Sequence, residues 1–155
     1  MSLSLRPLTN DEFESWFPRM RDRYAEDMAR DAGVDPERAA ATAAGQMDAL
    51  FPGPAPSPEQ LVYVLEEDGA RVGELWLCNR EDGPQPALFI YFIGIDEAHR
   101  GKGYGKAAME LAESEARRLG LNRVALSVFG KNTVARNLYR SLGYEENGVA
   151  MSKTL

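Results

Sequence analysis

Apolar residues change their spacing several times along this 155-residue chain, and each change marks an element. Leu3, Leu5 and Leu8 with Pro7 predict a short first strand, edge-like because proline cannot donate to a ladder. Phe13, Trp16, Phe17, Met20, Tyr24 and Met28 then recur at helical spacing. Thr9 or Asn10 caps that helix, and Asp11, Glu12 and Glu14 suit its first turn. Pro18 inside it predicts a kink, or the end of a first turn. Asp35 before Pro36 opens a second helix toward Leu50. The proline-rich run Phe51 to Pro58 is loop.

The second half reads as strands around one buried run. Leu61 to Glu66 and Arg71 to Cys78 predict a hairpin turning at Glu67-Asp68-Gly69-Ala70. Asn79 to Pro86 is a second turn, and the apolar run Ala87 to Ile95 predicts a buried strand antiparallel to its predecessor. Asp96 and Glu97 turn the chain into Arg100-Gly101-Lys102-Gly103-Tyr104-Gly105-Lys106. Ala107, Ala108, Leu111, Ala112, Ala116 and Leu119 follow at helical spacing, stopped by Gly120. Arg123 to Phe129 alternates and predicts a strand parallel to the buried run, reached by a right-handed crossover. A helix over Thr133 to Leu142 comes next, closed by Gly143. Tyr144 to Glu146 and Val149 to Lys153 predict a last hairpin turning at Asn147-Gly148.

The glycine run is the candidate chemistry. Glycines at alternate positions leave N–H groups bare at a helix start, where partial positive charge favours an anion such as phosphate. Lys102 and Lys106 add full charges. A P-loop is excluded, because Arg100 stands at the first glycine and Ala107 at the hydroxyl position. A dinucleotide fingerprint fits poorly, with Lys106 at the third glycine. A plain tight turn would use such glycines equally well.

Composition narrows the class. Hydrophobic content of 44% and charged content of 27% are those of an ordinary globule. Cys78 and His99 are each alone, which leaves no intrachain disulfide and argues against a zinc site. A cytoplasmic setting is the default, with no signal-peptide pattern and no membrane-length apolar run. Net charge is −6, with 14 Asp/Glu against six Arg in residues 1–69. An acidic chain argues against nucleic acid as a partner. The acidic half predicts either solvated helices or a wall that concentrates a cationic substrate.

Two motifs carry a family resemblance. Arg100-x-x-Gly103-x-Gly105, preceded by Ile93-Gly94-Ile95-Asp96, resembles the acetyl-coenzyme A motif of the GNAT superfamily of N-acetyltransferases. Asn132-x-x-Ala135-x-x-Leu138-Tyr139-x-x-x-Gly143-Tyr144 is similar to the second half of that signature. The resemblance implies an α/β (α+β) fold with a mixed, mostly antiparallel central sheet, a splayed parallel strand pair and about four helices. It implies one acetyltransferase domain over 1–155, with a variable N-terminal part to 58 and a cofactor-binding core from 59.

The same resemblance implies acetyl-coenzyme A as co-substrate, with no metal, and an amine acceptor, either a small molecule or a peptide. The pantetheine arm would enter the splay and pair with the backbone at Ile93, Gly94 and Ile95; read plainly, both isoleucines are core. Arg100, Gly101, Lys102, Gly103, Tyr104, Gly105 and Lys106 would hold the pyrophosphate. Asn132 is a good helix cap by residue type, and by resemblance also a pantetheine contact. Tyr139 is core by its neighbours, and by resemblance the acid that protonates the departing thiolate. The amine would attack directly, with the oxyanion held by strand N–H groups. Gly83 to Ile95 holds no carboxylate, so the base found there in some family members is missing; Glu74, Tyr91 or a water chain are the substitutes. The rival reading is a non-catalytic acyl-coenzyme A-binding module of the same fold. No membrane partner is expected, and a homodimer stays open.

Overall fold

The computed structural model describes residues 2–155. Five strands, β1 (Leu3–Pro7), β2 (Gln60–Glu67), β3 (Ala70–Arg80), β4 (Ala87–Ile95) and β5 (Val124–Leu126), form one sheet in that order. Neighbours are antiparallel except β4 and β5, which run parallel. Four α-helices accompany them: α1 (Asn10–Asp31), α2 (Pro36–Leu50), α3 (Tyr104–Arg118) and α4 (Thr133–Ser141). The β2–β3 hairpin turns on Asp68 and Gly69, both at positive φ (52° and 79°), the geometry that matches strand twist.

Alternation along the strands builds two cores. Leu75, Leu77, Leu88 and Ile90 face α3 and pack on Ala108, Met109, Ala112 and Ala116. Val62 and Trp76 face the opposite side, where Phe13, Trp16 and Met20 of α1 meet Met47 of α2 and Phe51. Pro18 does not break α1, which continues for three further turns. Buried Phe13, Trp16, Met20 and Met28 anchor the helix on both sides of it, so packing outweighs the lost backbone bond. Thr9, one of the two candidate caps, starts this helix in a capping box with Glu12.

Two features open the end of β4. Trp76 pairs with Phe92 and Leu77 with Ile90, which leaves Tyr91 as the extra residue of a β-bulge. The parallel ladder to β5 covers only Leu88 to Ile90. Beyond it β4 continues to Ile95 with no neighbour on that side. Gly73 opposite is required, because a Cβ there would stand 2.2 Å from the Gly94 carbonyl oxygen.

Two expectations fail. The strand predicted over Arg123 to Phe129 is only Val124–Leu126, since pairing stops where β4 splays away. The predicted hairpin over Tyr144 to Lys153 is absent; the segment carries the alternating pattern, but no strand of its own chain pairs with it.

Candidate active site

The open edge of β4 can be assigned group by group. The Asp96 N–H donates to the Val72 carbonyl, so Asp96 and Gly94 turn their main chain toward β3. Alternation then turns the main chain of Ile93 and Ile95 into the splay. Arg100 Nε donates to the Ile95 carbonyl at 3.0 Å, which occupies that acceptor. The N–H groups of both isoleucines and the Ile93 carbonyl are left for a ligand. Their side chains pack against the α3 core, so the plain core reading of both isoleucines holds.

The start of α3 lies just beyond. Helices α1, α2 and α4 each begin with a side-chain cap, from Thr9, Asp35 and Asn132. Helix α3 begins at Gly103 with no side-chain cap and no acidic residue in its first turn. Its first N–H groups are therefore bare, the arrangement that binds an anion. Gly101 (φ 76°) and Gly103 (φ 85°) hold backbone conformations that other residues rarely adopt. Lys102 and Lys106 are exposed beside this turn. Tyr104 differs from its neighbours: its ring is buried and its hydroxyl donates to Glu67 of β2. Only its backbone can serve a ligand.

Across the splay, Asn132 Oδ1 accepts from the Ala135 N–H at 3.2 Å and caps α4. The capping role read from its residue type is thus present, and its amide nitrogen has no protein partner among the described residues. Tyr139 is half-buried, with its ring 6.1 Å from that of Tyr144. Its hydroxyl makes no hydrogen bond to the described residues. Burial pushes the Tyr139 phenol above its ordinary value and keeps it protonated.

A cavity of about 670 Å³ opens between α1 and the end of β4. Gly94, Ile95 and Arg100 line it, so it abuts the splay, while Arg19, Arg71 and Phe92 form much of its wall. Glu74 is only 3% exposed and accepts from Arg19 through both oxygens, at 2.6 and 3.1 Å. Arg71 donates to Glu74 at 3.0 Å and also to Asp96. Glu74 therefore ties α1 to the sheet, with both oxygens already engaged. Tyr91 does not line the cavity; it stacks on Trp76 and accepts from Arg80. The wall carries Asp22, Glu26, Glu74, Asp96 and Glu97 against Arg19, Arg23, Arg71 and Arg100. This near balance differs from the acidic wall expected of the N-terminal half.

Arg19→Ala should destabilise the fold by about 1–2 kcal/mol, as it strips a buried carboxylate of one partner. The figure is reduced because the Arg19 side chain is 53% exposed and screened. Urea unfolding measures it; an unchanged midpoint would mean that Arg71 alone satisfies Glu74.

No helix among the described residues is long and apolar enough to cross a membrane. Comparison with known proteins now adds to this geometry. The uncharacterized N-acetyltransferase YycN of Bacillus subtilis is 33% identical over the whole of both chains. The uncharacterized N-acetyltransferase YdgE of the same organism is 31% identical over 100% of this chain and 99% of its own. The crystal structure of Bacillus subtilis YycN superposes with a TM-score of 0.91 and 33% identity, covering 99% of each chain. These relatives and the fold mark the protein as an N-acetyltransferase. The model of the acetyltransferase (GNAT) family matches residues 5–144, and the chain belongs to that family.

Proposed function

We propose that the protein transfers the acetyl group of acetyl-coenzyme A to an amine by direct attack. The observation that carries this reading is the unpaired edge at Ile93 and Ile95, set beside the uncapped start of α3. An extended pantetheine arm matches the first, as an added strand would, and a pyrophosphate matches the second. Gly101, Gly103 and Gly105 let phosphate approach the backbone, with Arg100, Lys102 and Lys106 supplying charge at the rim.

The acceptor amine enters through the cavity between α1 and β4. Its lone pair forms the bond to the thioester carbon, and the carbon–sulfur bond breaks. The free strand N–H groups supply the donors that a developing oxyanion needs. Tyr139 gives its proton to the departing thiolate, the nitrogen releases its own proton to water, and the Tyr139 phenolate takes a proton back from water to close the cycle. Deprotonating a lysine-like amine at pH 7 costs about 4.6 kcal/mol, an α-amine nearer 1. With Glu74 held by two arginines and Tyr91 outside the cavity, a water chain is the remaining route of the three for that proton.

A co-crystal structure with coenzyme A is the test. Pantetheine amides should lie within hydrogen-bond distance of the Ile93 and Ile95 main chain, with the pyrophosphate over Gly103 and Gly105. Density for the arm anywhere else would overturn the assignment of the splay.

A further inference from the structure

Charges around the cavity between α1 and β4 divide into a closed set and an open one. Glu74 and Asp96 accept at both oxygens, from Arg19 and Arg71, so these four charges cancel within the protein. Arg100 donates from Nε to the Ile95 carbonyl and stands at the cofactor turn. Arg23 is the cation left over. It lines the cavity from α1 and donates from Nε to Asp27 at 3.2 Å, sharing that carboxylate with Arg30. Its guanidinium carbon lies 5.5 Å from the centre of the half-buried Phe92 ring. Its two terminal nitrogens have no partner among the described residues. A guanidinium steadied at its inner nitrogen and over a ring, with its outer fork free, is prepared for a planar anion such as a carboxylate. Asp22, Glu26 and Glu97 of the same wall are exposed, and none of them pairs with a lining arginine.

We propose that the acceptor is a small molecule bearing both an amine and a carboxylate, of the amino-acid or dipeptide class, with its carboxylate on the outer fork of Arg23. This rests on the transferase reading above and names its substrate class. The pantetheine arm runs from the start of α3 past Ile95 and Ile93, which brings the thioester beside Phe92 and so beside Arg23. Paired N–H bonds to the carboxylate then hold the amine within a few bonds of the reacting carbon. Pairing also cancels the charge of the substrate's own carboxylate, which otherwise favours the ammonium form of its amine. That matters where Glu74 is already engaged and water takes the proton. The exposed carboxylates attract the approaching ammonium while Arg23 takes the opposite end, so the near balance of the wall suits a zwitterion. A polycation leaves Arg23 uncompensated. The cavity of about 670 Å³ is within the ordinary range of small-molecule sites, about 300–1,000 Å³.

The test is thiol release from acetyl-coenzyme A with free amino acids and dipeptides, each against its own carboxamide, and with simple polyamines alongside. Rates are compared per neutral amine, because a carboxylate raises the pKa of the amine beside it. For the best acceptor, kcat/KM should be about a hundredfold higher for the acid than for its carboxamide. Arg23→Gln should bring that ratio near one, and Arg23→Lys, which keeps the charge but loses the fork, should give a value between. The Arg23 side chain is 44% exposed on a helix, so both variants should fold, which circular dichroism checks. The wild-type ratio decides even where a variant does not fold. Carboxamides as fast as the acids, turnover confined to amines without a carboxylate, or a ratio that survives Arg23→Gln would each overturn this inference and leave the transferase reading standing. If no amine of any series releases thiol, both fall.

Discussion

Gly105→Glu should leave the fold intact and raise the dissociation constant for acetyl-coenzyme A at least about a hundredfold. A Cβ at Gly105 meets only Leu138 Cδ2, at 3.5 Å, an ordinary contact. The position lies in the first turn of α3, where Glu is a better helix former than Gly and suits the positive end of the dipole. Stability should thus hold, or rise by about 0.5 kcal/mol. The new carboxylate would face the pyrophosphate proposed to sit on the bare N–H groups, and two like charges at 4 Å repel by about 4 kcal/mol at intermediate dielectric. Screening at the exposed rim reduces this to the hundredfold stated, about 2.7 kcal/mol. Gly103→Glu should lose binding as well, but φ of 85° there adds about 1–2 kcal/mol of backbone strain. Gly105→Glu is the cleaner variant. Calorimetry on it decides: unchanged affinity in the folded protein would remove the phosphate assignment.

Tyr139→Phe should lower turnover about a hundredfold with cofactor affinity nearly unchanged. It keeps the ring that packs beside Tyr144 and removes only the hydroxyl. Coenzyme A thiolate is a fair leaving group unaided, which holds the effect at the low end of general acid catalysis. The pH profile gives the sign independently. As the proposed acid Tyr139 must carry its proton, and burial raises its folded value above the ordinary phenol figure of about 10. Wild-type kcat/KM should therefore climb with pH as the acceptor amine loses its proton, with no falling limb below pH 10. If turnover survives the change to Phe while stability drops, Tyr139 is a core residue and not the acid.

What was legible in the sequence is what lies close along the chain. The cap at Thr9, the turn at Asp68-Gly69 and the passage from β4 into α3 each depend on residues within a few positions of one another. The bulge at Tyr91 was not legible, because Ala87 to Ile95 is apolar throughout and a shift in alternation leaves no mark on it. Nor was the hold of Arg19 on Glu74, made across 55 residues. One signal pointed there: a lone carboxylate in the strand Val72-Gly73-Glu74-Leu75-Trp76 must find partners when buried. The last hairpin shows the converse limit. Its alternation and its Asn147-Gly148 dipeptide are present in the sequence, but a strand forms only where another offers its edge.

In the reaction proposed above, an acetyl group passes directly from acetyl-coenzyme A to an amine held between α1 and β4. The most direct measurement follows thiol release from acetyl-coenzyme A across a panel of amines, with intact mass of the protein recorded during turnover. Coenzyme A and acetylated amine should form in equal amounts, with release that depends on the amine and no acetyl group on the protein. Tight binding of acetyl-coenzyme A with no thiol released by any amine, or acetyl-protein formed at the rate of turnover, would contradict it.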